Sequence, residues 1–125
     1  MKFLLLFLLA SFTCAAGTPW TAQDYALEGT TIAALALDWR QTSNIHLDNC
    51  IRDNLEYHRE ELNPILGKHP SQQDINQYFA VSAAVHVLVA AQLSGRWRTA
   101  WQMTWIGLEV GTVERNYKLG IRLNF

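Results

Sequence analysis

Between residues 78 and 91 the chain carries a single strongly polar side chain, His86, inside an otherwise apolar run. Such a run has to be covered by the rest of the molecule or by lipid, and an imidazole at its centre needs a hydrogen-bonding partner there. Residues 29–37 form a second apolar run, and residues 100–113 a third, interrupted by Gln102 and Glu109. None of them reaches the run of about 18 uninterrupted apolar residues that marks a membrane span on its own.

Helical signals frame all three runs. Thr21, with Asp24 three residues on, reads as an N-cap, and Leu27, Thr31, Leu35, Asp38 and Thr42 follow at helical spacing, which predicts a helix over residues 21–44. Ser71 with Asp74 is a second N-cap signature, and the helix it starts runs to Gln92 or Leu93, where Ser94 and Gly95 end it. A last helix takes residues 96–116. Between the first two, Leu47, Ile51, Leu55 and Leu62 lie among charged side chains at a spacing that suits a short amphipathic helix over residues 47–62. The expected fold is all-α, a small bundle of three main helices plus the short amphipathic one. With 125 residues, no internal repeat and no low-complexity linker, one helical domain over residues 17–125 is the simplest division.

An export segment precedes that domain. Lys2 supplies one positive charge, residues 3–10 are apolar, and the stretch to Gly17 ends in small residues. That order is a bacterial-type secretory signal peptide over residues 1–16, cleaved after Ala16, and it is too short to serve as an anchor. Cys14 raises the question of lipoprotein acylation, but Ser11, Phe12 and Thr13 ahead of it make a poor lipobox. Removing the leader leaves Cys50 alone, so the chain holds neither a disulfide framework nor a Cys/His zinc site. Ten basic residues against eleven acidic ones give a net charge of -1, which excludes an electrostatic field that gathers nucleic acid.

Three features draw the helices towards lipid. The apolar runs are rich in Ala, Gly, Ser and Thr; Gly107 and Gly111 form a Gly-x-x-x-Gly spacing at which two helix backbones approach closely; and Trp97, Trp101 and Trp105, beside Arg96 and Arg98, resemble an interfacial belt. Together they predict an exported protein of the inner membrane whose partners are membrane lipid, envelope proteins or a second copy of the chain. A soluble periplasmic bundle is the alternative. Charges flanking the runs are balanced, so the positive-inside rule assigns no topology.

The polar residues on these helices are the candidate site. Gln102, Glu109 and Asn116 recur at intervals of seven and share one face of the last helix, turned away from Gly107 and Gly111. Asp38, with Gln41 and Thr42 close behind it, repeats the pattern on the first helix, and His86 is the corresponding group on the second. If the three faces meet, Asp38, His86 and Glu109 share the interior, where a carboxylate persists only when paired or protonated. One reading makes His86 a base or ligand oriented by Asp38 and Glu109. The other makes these groups interhelical hydrogen bonds that set the register of the bundle, each worth about 0.6–2 kcal/mol. Gln41, Thr42, Gln102 and Asn116, with Asn63 in the Pro- and Gly-containing loop over residues 60–71, are the binding candidates. No nucleophile elbow, His-Glu-x-x-His pair or phosphate loop is present, which weighs against an enzyme, and no motif calls for a cofactor or metal.

The Asp38-Trp39-Arg40-Gln41-Thr42 segment, the Asn63-Pro64-Ile65-Leu66-Gly67 segment leading to Pro70-Ser71, then Tyr78-Phe79, His86, Glu109 and Asn116 to Ile121, form a recurring pattern. In it the chain resembles a group of small uncharacterised proteins of bacteriophages and their proteobacterial hosts, exported or membrane-bound. The resemblance covers nearly all of the chain after the leader. It implies membrane placement and a phage or prophage origin, and carries no activity with it.

Overall fold

The computed structural model describes residues 17–51, 63, 65–67, 70–118 and 120–121, with side chains placed for all of these except residues 46–51. Three helices make up most of it: α1, Ala22–Ile51; α2, Gln72–Gln92; and α3, Gly95–Lys118. The chain is all-α, and among the described residues there is no strand.

The caps read from the sequence form as expected. The Thr21 hydroxyl accepts from the Asp24 backbone N–H at 3.2 Å, while Asp24 Oδ2 accepts from the Thr21 N–H at 2.8 Å, a reciprocal box that starts α1. Ser71 and Asp74 build the same device at α2, with the Ser71 N–H donating to Asp74 Oδ2 at 3.0 Å. α3 ends where Gly120 takes a φ of 79°, a left-handed conformation that needs no Cβ. There the Ile121 N–H reaches Asn116 O and the Gly120 N–H reaches Tyr117 O, both at 3.0 Å, the Schellman pattern. Ile121 is buried behind it.

Helix directions follow from the contacts. Glu28 meets His86, Trp39 donates to Asn76 and Ser43 accepts from Gln72, so α2 descends as α1 rises. Asp24 meets Arg98, Glu28 meets Gln102 and Asp38 meets Asn116, so α3 ascends alongside α1. α1 therefore borders both partners, while α2 and α3 touch least. The apolar core is small: Leu35, Ile75 and Phe79, with Leu66, Tyr78, Ala83 and Trp105 against them.

The structure departs from the sequence reading in three places. α1 continues to Ile51 because nothing after Asn44 interrupts it, so residues 47–51 belong to α1 rather than to a separate amphipathic helix; residues 52–62 of that expectation lie outside the described residues, as does the leader over 1–16. Gly107 and Gly111 are exposed, with nothing within 4 Å of the position a Cβ would take. Among the described residues they pack against no helix, because α3 turns its polar face inward and its glycines outward. Among the described residues no helix is long and apolar enough to cross a membrane.

Replacing Ser71 with Ala removes the acceptor that starts α2. Thermal or chemical denaturation of that variant is expected to show a loss of about 0.5–2 kcal/mol, with helix content otherwise retained.

Candidate functional site

The interior between α1 and α3 is a column of polar side chains. It has three levels, each joining a residue of α1 to one of α3.

At the first level stands Arg98, fully buried on the first turn of α3. Its Nε donates to Ala90 O at 2.9 Å and its Nη2 to Leu93 O at 2.7 Å, satisfying carbonyls that the end of α2 leaves without an intrahelical partner. Nη2 also reaches Thr18 O at 2.6 Å, and Nη1 reaches Asp24 Oδ2 at 3.1 Å and Pro19 O at 3.5 Å. The guanidinium lies 5.0 Å from the centre of the Trp20 ring. Asp24 thus caps α1 and neutralises Arg98 together. Its Oδ2 accepts from the Thr21 N–H, the Thr21 hydroxyl and Arg98 together.

One turn further along, Glu28 joins all three helices. His86 Nδ1 and Glu28 Oε1 share a hydrogen bond at 2.8 Å, and Gln102 Nε2 donates to Glu28 Oε2 at 2.9 Å and to Asp24 O at 3.0 Å. His86 and Gln102 are both fully buried. The imidazole stacks on Trp101 at 5.7 Å between ring centres and meets the edge of Trp105 at 5.3 Å, and Trp101 Nε1 donates to His86 O. Two polar atoms here, His86 Nε2 and Gln102 Oε1, are buried without a hydrogen-bond partner.

The third level is amide and carboxylate. Asn116 Nδ2 donates to Asp38 Oδ1 at 3.1 Å and to Gln41 Oε1 at 3.3 Å, and Gln41 Nε2 donates to Val113 O at 3.3 Å. Thr42 is buried next to this group on α1. Glu109 falls between the second and third levels, half-buried, with Oε2 enclosed and unpartnered.

The period-seven face of α3 therefore does turn inward: Gln102 and Asn116 both bond to α1. The expected meeting of Asp38, His86 and Glu109 does not occur. His86 takes Glu28 as its carboxylate partner, and Asp38, ten residues or about 15 Å further along α1, takes Asn116 instead. Asn63 serves its own loop, its Oδ1 accepting from the Ile65 N–H at 2.9 Å and its carbonyl from the Gly67 N–H at 3.1 Å. Among the described residues no three His, Cys, Asp or Glu side chains are placed to hold a metal ion.

Asp24, Glu28 and Arg98 are the site residues that sequence reading missed. The signal was available for two of them, since the inward row of α1 (Thr31, Leu35, Asp38, Thr42) extended backwards by helical spacing passes through Glu28 and Asp24. Arg98, beside tryptophans, read as an interfacial residue; it faces inward instead. Compared with protein-family models, curated proteins and solved structures, the chain matches none.

Glu28→Ala leaves His86 Nδ1 without its partner and Gln102 Nε2 with one of its two acceptors, and denaturation is expected to show a loss of about 1–3 kcal/mol, with Glu28→Gln losing clearly less. Asp24→Asn removes the counter-charge of the buried Arg98, and denaturation near neutral pH is expected to show the variant less stable than the parent.

Proposed function

We propose that the chain is an exported protein of the bacterial envelope, held in the inner membrane, that acts through contacts with lipid or neighbouring envelope proteins rather than by turnover. The observation that carries this reading is the reversal of the usual partition between inside and outside. Among the described residues the buried set is mostly polar, including Asp24, Glu28, Asp38, Gln41, His86, Arg98, Gln102 and Asn116, whereas Ile32, Leu37, Val81, Val85, Leu88, Met103, Leu108 and Val110 are all exposed. In water, burying the first set and exposing the second is unfavourable on both counts. In hydrocarbon the exposed apolar side chains are at no disadvantage, and ionisable groups belong in the bundle interior, paired.

The same reversal accounts for the modest mean hydropathy of each helix, because an average over a helix counts inward polar residues against it whichever way they point. Length is not the shortfall: α2, at 21 residues, is about 31 Å long, close to the thickness of a hydrocarbon core. The leader expected over residues 1–16 supports export, and the resemblance to phage and prophage proteins supports an origin in such a gene cluster.

A soluble periplasmic binding module is the second reading. A groove of about 690 Å³ beneath the loop, lined among others by Ile65, Leu66 and Tyr78, favours it. Fractionation separates the two. The protein is expected in the membrane fraction after a high-salt wash and to be released by detergent; recovery in a detergent-free periplasmic extract overturns the membrane reading.

A further inference from the structure

Where α2 and α3 part, the bundle leaves the 690 Å³ groove open at its surface. One helical face of α2 lines its length. Val81 and Val85 lie towards one end with Ser82 beside them, Asp74, Gln77 and Tyr78 lie towards the other, and Trp105 of α3 and Ile65 and Leu66 of the loop complete the walls. Val81, Val85 and Ile65 are exposed there.

The polar end is only partly spent on the fold. Asp74 Oδ2 takes both bonds to Ser71, leaving Oδ1 without a hydrogen bond to any described residue, and the Gln77 amide and Tyr78 hydroxyl make none either. The Ser71 hydroxyl and N–H both donate to the Asp74 carboxylate, so the groove ends in an acidic group held in place by its cap. A slot of this size with apolar walls and a few converging polar groups at one end is built like a ligand site.

From the apolar walls and the acid at one end, we propose that this groove seats one acyl chain of a membrane phospholipid whose headgroup carries an ammonium, the chain along Val81, Val85 and Trp105 and the ammonium at Asp74. The charge at the mouth selects the cationic group over an anionic headgroup. This rests on the membrane reading, which supplies the lipid.

The test uses the full chain in vesicles of phosphatidylglycerol, a host without an ammonium, doped with lipid brominated on its acyl chains, with either an ethanolamine or a glycerol headgroup. Trp105 is isolated as the difference in fluorescence between the parent and Trp105→Phe, and the exposed Trp97 in the same way with Trp97→Phe. Brominated phosphatidylethanolamine is expected to half-quench Trp105 at a mole fraction about two- to five-fold lower than the phosphatidylglycerol analogue does, the size of an exposed ion pair. Asp74→Asn is expected to abolish that preference, and Val85→Phe, which fills the slot without adding a tryptophan and leaves the cap intact, to abolish Trp105 quenching. Equal quenching by both headgroups, a preference that survives Asp74→Asn, or quenching of Trp97 with none of Trp105 overturns the groove assignment while leaving the membrane reading in place. Quenching of neither tryptophan overturns both.

Discussion

Arg98 is the residue on which the arrangement of the three helices depends. A buried guanidinium is tolerated only when its five N–H donors are met and its charge is balanced. Here main-chain carbonyls from the end of α2 and from the segment ahead of α1 take most of the donors, and Asp24 takes the rest with the charge. One side chain of α3 thereby caps the negative end of α2, grips Thr18 and Pro19 ahead of α1 and reaches the N-terminal cap of α1. The corner leaves no room to spare: a Cβ at Gly17 would stand 2.5 Å from the carbonyl oxygens of Ala91 and Leu93 and 3.0 Å from Arg98 Nη2, so only glycine fits there. A lysine, with one point charge and no planar fork, cannot serve these acceptors in their several directions.

With that corner set, the levels above it fall into line. A parallel α1 and α3 joined at Asp24 and Arg98 bring Glu28 against Gln102 one turn later, and the antiparallel α2 delivers His86 to the same carboxylate. The apolar cluster of Leu35, Ile75 and Phe79 is too small to choose the alignment by itself. Specific hydrogen bonds choose it, since sliding α3 by one residue would leave buried amides and a buried guanidinium unpaired. The consequence reaches the outer surface. Once the polar faces are committed inward, the apolar residues of the same amphipathic helices have nowhere to go but out, and the molecule presents Val, Leu, Ile and Met to its surroundings.

Much of the secondary structure was legible from local chemistry. The caps at Thr21 and Ser71, the break at Ser94, and the inward face carrying Gln102 and Asn116 are all consequences of residues within one or two turns of each other. The reading stumbled where the decisive neighbour is distant in the chain. Asp38 and Glu109 were paired with His86 because each is acidic and lies on an apolar helix, but Glu28 stands at the height of His86 and Asp38 does not. Gly107 and Gly111 have the spacing of a packing face, yet that face points outward.

The sequence by itself determined the three main helices found among the described residues, where two of them begin, and that polar groups would have to be housed among apolar ones, because caps, breakers and helical periodicity act over a few residues. Only the tertiary structure decided which acid meets the histidine, that Arg98 is interior, and which faces are left uncovered. Those outcomes turn on the alignment of α1 with two helices whose residues bonded to it lie 29 to 78 positions away, and alignment is settled by the simultaneous satisfaction of every buried donor and acceptor rather than by any one segment's preference.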